Sequence, residues 1–553
     1  MVTCKQCHQE FEVVDADRRF FKMFDVPEPT FCFPCRLQRK MAFYNRRKLY
    51  KRNDINGQPL VSIYSPDKPV QVIKTRDWYG DSWDPMQYGR DFDFSRPFFP
   101  QFQELMHAVP QNALALLGDN ENSDYTNDNY KLKNCYMVFD GEQGENAYHG
   151  ETFVMLKNCV DFLFLQMSEQ CYECIVCVNC YHMNYSRFSQ NCSDSWFLKD
   201  CIGCKHCFGC VNLRNKEYHI FNEPKSKAEY EAFLADFNSG NTRAVTAMRQ
   251  KAEAFFKTQP VKAVRGVQNE NCVGDNLNEC KDSYMCFDCN NQRDCRYMTD
   301  CLMDARDCMD IHVWGEGMEE CYNCAIIGGG GVRHSMAIFY SGLGSSDLYY
   351  SFWCTRNSKN LFGCVGLKHK ENCILNKQYS PGEYQALFDK IKAHMKKTGE
   401  WGQFFPPEMS FFGYNETQAM DYFPMTRDEV LARGWKWCDY EAKIEASRTI
   451  PGARLPDDIK DTPDDVLNWA IVCEKSDKPF KIIPQELKFY RDNKLPLPRR
   501  HPDQRHWDRL ALKEPFKLFD RQCAKCQAAI QTTYSPERPE RVYCEECYQK
   551  AVY

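Results

Sequence analysis

The 553-residue chain has no apolar run near the roughly 20 residues that a membrane span takes. Its first ten residues, MVTCKQCHQE, have neither the basic start nor the apolar stretch of a signal peptide, so a reducing, cytosolic setting is expected. It has little net charge, −5 from 71 basic and 76 acidic residues, so any polyanionic partner must be met by a local patch. It lacks a phosphate loop: GGGGVR at 328–333 is followed by no Lys-Ser/Thr and reads as a turn. It also lacks a disordered composition, with 43% hydrophobic and 14% aromatic residues, and its length exceeds one core, so several packed units are expected.

What the chain does have is 33 cysteines. In a reducing setting these are free thiols or metal thiolates. Cys4 and Cys7 form one C-x2-C pair and Cys32 and Cys35 a second, which together supply four soft ligands for a tetrahedral, closed Zn²⁺ site. Cys523, Cys526, Cys544 and Cys547 form a second quartet at the other end. Four protein ligands leave no place for an activated water, so two structural zinc ions per chain are expected, with more open in the central cysteine runs.

The stretch CKQCHQEFEV…VPEPTFCFPCRLQRK resembles the probable zinc-ribbon (treble-clef-like) domain over about 40 residues. The resemblance implies Cys4, Cys7, Cys32 and Cys35 as ligands, with Arg36 and Lys40 in a basic tail. More loosely, the whole chain resembles uncharacterised Cys-rich zinc-binding proteins of uncultured bacterial lineages, which implies an architecture and no reaction. The far end repeats the design. A shift of 469 places Cys4 on Cys473, Pro27 on Pro496, Pro29 on Pro498 and Arg36 on Arg505. The same shift turns Cys7, Cys32 and Cys35 into Ser476, His501 and Gln504, so that copy has lost its metal. Conversely YSPDKP matches YSPERP, but the cysteines around the second phrase have no counterpart around the first. Each end therefore reads as a two-site module with one site kept, the product of a duplication.

Between the ends, Asn-Cys recurs at 134, 158, 179 and 191, and Cys159, Cys180 and Cys201 are spaced by 21. Repeats near 20 residues indicate a quasi-linear stack. The fold class expected is mainly β with α: a tandem right-handed parallel β-helix with coils of about 21 residues, helical caps, and flanking zinc-ribbon/treble-clef-like modules. CYECIVCVNC and CIGCKHCFGC fit inward packing thiols, further zinc or an Fe–S run, though the latter lacks its long last gap and proline. His206 among them reads as packed or as a ligand. CFGCVNLRNKEYHIFN at 207–222 returns at 361–376 with an offset of 154, each time followed by a helix with Ser226 or Ser380 as N-cap, which reads as a cap on a stack. The units are 1–76 zinc module, 77–129 aromatic linker with a short helix, 130–223 first stack, 224–261 helical cap, 262–378 second stack, 379–465 cap and aromatic segment, and 466–553 zinc module.

Function is sought in three places. The run 36–52 holds eight cations and no acid: Arg36, Arg39, Lys40, Arg46, Arg47, Lys48, Lys51 and Arg52. With Leu37, Met41 and Tyr44 as a packed stripe, these form a candidate face for nucleic acid. The matching stretch 499–521 mixes seven basic with four acidic residues and is weaker. Asp300, Asp304, Asp307, Asp310 and His312 could supply a glycosidase-like pair, or simply occupy turns. The aromatic stretches 78–102 and 400–424 could pack on the stacks or form a partner groove. The expected function is a non-enzymatic zinc protein that scaffolds RNA, DNA or a ribonucleoprotein. The alternatives are a protein–protein scaffold, or a carbohydrate- or phosphodiester-active enzyme.

Overall fold

A computed structural model describes residues 1–552 apart from 302, 314–316, 326, 329–331 and 443. The fold is mixed α/β, with more strand than helix and no closed barrel. Part of GGGGVR, residues 329–331, lies outside the described residues.

The two ends carry the same fold twice. Val2 pairs antiparallel with Phe11, and Ile471 with Phe480. Helices Asp15–Met23 and Phe33–Met41 return as Pro484–Asp492 and Pro502–Leu510. All of these matches have the offset of 469. A hairpin follows in each, Tyr50–Asn53 with Pro59–Ser62 and Phe519–Gln522 with Ala529–Thr532. The last strand of each module then pairs in parallel with the segment that leads into a stack: Val72–Ile73 with Gln111–Asn112, and Arg541–Tyr543 with Pro260–Lys262.

The central body is built of parallel ladders whose repeat is 12 residues in the first, not the 21 that the cysteine spacing suggested. Glu151 pairs with Leu163, Leu163 with Ile175, Ile175 with Arg187, and Arg187 with Lys199. In the second ladder the steps lengthen to 13 and 14, as from Met309 to Tyr322 and from Tyr322 to Met336. The first ladder also starts earlier than residue 130, at Leu116–Leu117.

Backbone geometry explains both the period and the misreading. A left-handed residue recurs at nearly every third position, as at Asn134, Met137, Asp140, Gln143 and Asn146. Four such bends separate each residue from its ladder partner. Away from the ladder ends the residue after such a bend is buried, so inward positions recur every third residue: Cys171, Cys174, Cys177 and Cys180 have 0, 0, 0 and 2% exposure. Hence CYECIVCVNC is one full repeat with four inward thiols. A spacing of 21 is a multiple of three, so it keeps a cysteine inside, but it is not a multiple of 12, so Cys159 and Cys180 lie on different sides.

The Asn-Cys phrase has the same origin. Asparagine tolerates the left-handed bend, and its amide reaches the next one 12 residues on. Asn134 donates to Asn146 at 3.3 Å and Asn146 to Asn158 at 3.1 Å.

Each ladder ends as the repeated phrase predicts. Glu217–Ile220 turns back on Glu223–Pro224, and Glu371–Ile374 on Lys377–Gln378, both antiparallel. Helices Lys227–Asp236 and Pro381–Thr398 follow, with capping boxes from Ser226 to Glu229 and Ser380 to Glu383. Their Tyr230 and Tyr384 are buried. The aromatic stretches pack inward: Trp78, Phe98, Phe102, Trp401, Phe405 and Phe411 share one core with the second ladder.

Candidate metal centres and the charged seam

The sulfurs of Cys4, Cys7, Cys32 and Cys35 lie within 4.8 Å of one another, as do those of Cys523, Cys526, Cys544 and Cys547. A tetrahedral ion with Zn–S near 2.3 Å needs sulfurs roughly 3.8 Å apart. Cys7 and Cys32 are 3.6 Å apart and Cys526 and Cys544 3.7 Å. Backbone N–H groups already point at sulfur, Cys32 to Cys4 at 3.4 Å and Cys544 to Cys523 at 3.3 Å. The Cys32 thiol is held down to about 5, chiefly by its hydrogen bond with Cys35. Burial pushes Cys523 up, but backbone N–H groups of Cys526 and Cys544 outweigh it and hold it at about 6. Both donor sets therefore fit a zinc ion.

The two lost sites keep the loop and replace the ion. Cys473 N–H donates to Lys478 at 3.0 Å as Cys4 does to Gln9 at 2.9 Å, and Asp477 repeats the left-handed turn of His8. In the N-terminal hairpin the loop is one residue shorter, and Asp54 accepts from the N–H groups of Asn56 and Gln58, both at 2.8 Å. A carboxylate there gathers the donors that a metal thiolate gathers in the other copy.

The central cysteines are another matter. Nearly all donate their S–H to a carbonyl two residues back, as Cys174 does to Tyr172 at 3.5 Å and Cys177 to Ile175 at 3.5 Å, while Cys301 turns to Met303. Burial pushes Cys159, Cys286, Cys289 and Cys364 well above the usual thiol range. Among the described residues only the two terminal quartets bring three or more ligand atoms together. His206 stacks on Tyr218 at 5.1 Å.

The basic run turns inward. Arg36, Lys40, Arg46 and Arg47 have 7, 1, 3 and 9% exposure. Arg36 forks onto Asp310 of the second ladder at 2.6 and 3.0 Å. Arg46 lies 3.2 Å from Asp140 and 3.5 Å from Glu151 of the first ladder, and Arg47 lies 3.4 Å from Glu151. Lys48 pairs with Asp503. Arg39 lies over Phe31, Arg52 donates to the Ser65 and Val70 carbonyls, and Lys51 is exposed.

The Asp300 group is likewise dispersed among different partners. Asp304 accepts from Asn291 at 2.6 Å, Asp307 meets Arg19 at 2.6 Å, Asp310 meets Arg36, and Asp300 meets Lys513 at 3.0 Å. His312 is fully buried, and burial, with Arg46 and Lys40 nearby, holds it well below its ordinary range against the side chain of Gln418, which raises it.

Sequence reasoning missed the other half of this seam. Arg505 and Arg509 converge on Asp161 of the first ladder, as Arg36 meets Asp310 of the second. Glu486 meets His149 at 3.1 Å, and its counterpart Asp17 accepts from Tyr297 at 2.9 Å. Lys513 bridges Asp288 and Asp300 as Arg46 bridges Asp140 and Glu151. The offset of 469, carried from the cysteines to the charged residues, gives Arg505 and Glu486 from Arg36 and Asp17. Nothing local marks Asp161. The chain matches no protein-family model and no curated protein.

Proposed function

We propose that this chain is a zinc-stapled binding scaffold in which two parallel β-helices, with coils of 12 to 14 residues, are clamped by zinc-ribbon/treble-clef-like modules. The observation that carries the reading is the double anchoring: each module drives a buried arginine onto an aspartate of the ladder remote from it in sequence. Two closed Cys4 sites would hold each clamp rigid, and zinc bound there would supply structure and no reaction. A reducing cytosol belongs to this reading, because the cysteines are free. No helix among the described residues is long and apolar enough to cross a membrane.

Nucleic acid or a ribonucleoprotein remains the partner class drawn from the basic run, now resting on Arg39, Lys51 and Arg52, since Lys48, also partly exposed, is taken by Asp503. Metal analysis of purified protein should return about two zinc per chain. A gel shift with RNA and DNA, weakening as salt rises, should disappear on charge reversal of those three residues. No shift at low ionic strength would leave a protein partner in its place.

A further inference from the structure

The duplication creates two matching niches, and only one of them is filled. In the first, residues 29–31 of the N-terminal module, with Arg36 and Arg39, face Tyr322 and Asn323 of the second ladder. Gly402, Gln403 and Phe404 line the space that is left, and Trp401 beside them lies flat against Phe362 at 6.4 Å and 1°. In the second, residues 498–500 of the C-terminal module, with Arg505 and Asp508, face Tyr172 and Glu173 of the first ladder. The module residues are related by 469, and Tyr172 pairs with Val160, the residue before Asp161, as Tyr322 pairs with Met309, the residue before Asp310. Here no aromatic segment enters. The cavity is about 380 Å³, against about 20 Å³ in the filled niche.

The chemistry of the rim changes with the filling. Thr30 and Phe31 of the closed niche correspond to Arg499 and Arg500 of the open one. Helix Thr242–Lys257 brings Arg249, and its first turn lines the cleft. Six arginines and no lysine line the space, against four carboxylates. All six are held by acids, Arg187 by Glu253, Arg249 by Glu173, Arg499 by Asp457, Arg500 by Asp508, and Arg505 and Arg509 by Asp161, which fixes their orientation. Arg505 and Arg509, 5 and 3% exposed, each leave Nε without a hydrogen-bond partner among the described residues. Tyr185 and Phe197 stack at 5.1 Å on the ladder side, and the Arg249 guanidinium lies 4.6 Å over Tyr185.

We propose that this cleft binds a nucleotide-class ligand, an aromatic base joined to phosphate. The base takes the place that the chain's own aromatic segment holds in the other half. The phosphate meets arginine forks, which suit its geometry better than lysine does. The volume is in the range of small-molecule sites, about 300–1,000 Å³. The proposal is independent of the Arg39, Lys51 and Arg52 patch.

The test is calorimetric titration of the full-length, zinc-loaded protein with AMP, ATP, pyrophosphate and a short single-stranded RNA at about 50 mM salt. ATP, AMP or the RNA should bind, more weakly as salt rises. Binding of mononucleotides identifies a free nucleotide, and binding of RNA alone identifies a strand. Arg249 and Arg500 are exposed, so Arg249→Ser with Arg500→Ser should fold and weaken binding about tenfold or more. Thr246→Trp, on the exposed wall, should plug the cleft and abolish binding while the Arg39, Lys51 and Arg52 variants leave it intact. No binding by any nucleotide or RNA, binding that survives both cleft variants, or pyrophosphate as tight as ATP would overturn the proposal.

Discussion

Arg36 and Arg505 do the same work in two places, and neither is replaceable by a neutral side chain alone. Removing one partner of a buried ion pair leaves an uncompensated charge. Arg36→Met should therefore destabilise the fold by roughly 3–5 kcal/mol in urea unfolding, and adding Asp310→Asn should recover much of the loss. Lys40 has no hydrogen-bond partner for its ammonium among the described residues and is pushed down to about 8 by burial, with Arg36 adding to the effect. Its folded pKa lies below the unfolded value of 10.5, so between these limits the unfolded chain holds more protons and stability rises with pH. Wild type should gain up to about 3 kcal/mol relative to Lys40→Met as pH rises from 8 to 10.5, read as the difference between two melting curves. The sequence marked Arg36 as a cation but could not tell that it faces inward, because the acid that receives it, Asp310, lies far along the chain in the second ladder.

At the scale of the elements, the bend at every third residue sets everything else. Asn146 has φ of 51° and stands in an amide ladder with Asn134 and Asn158. A β-branched residue cannot take that conformation cheaply, so Asn146→Val should cost roughly 1–2 kcal/mol from the bend alone. Asn146→Gly keeps the bend and loses only the ladder, so it should cost less; chemical denaturation of both separates the two contributions. The strands, the caps and the Ser226 and Ser380 helix starts were legible in short phrases. The coil length was not, because cysteines at every third position generate spacings of 21 as readily as of 12. Only hydrogen bonding between coils selects among multiples of three.

The whole molecule is a doubled object held by its ends. Each module contacts both ladders, so loss of one zinc should loosen both halves. Cys4→Ser and Cys523→Ser should each lower metal content by one zinc and lower the melting temperature, while Cys473→Ser, in a copy that has lost its other ligands, should leave metal content unchanged. By itself the sequence determined the cysteine quartets, the duplication with its offset of 469, the predominance of strand and the helix starts at Ser226 and Ser380, because ligand spacing, periodicity and capping are local and repeat along the chain. Only the tertiary structure decided the 12-residue repeat of the first ladder, the inward turn of the basic run and the pairing of Asp161 with Arg505 and Asp310 with Arg36. Those depend on which distant surfaces meet, and buried charge is stable only where its partner happens to be brought.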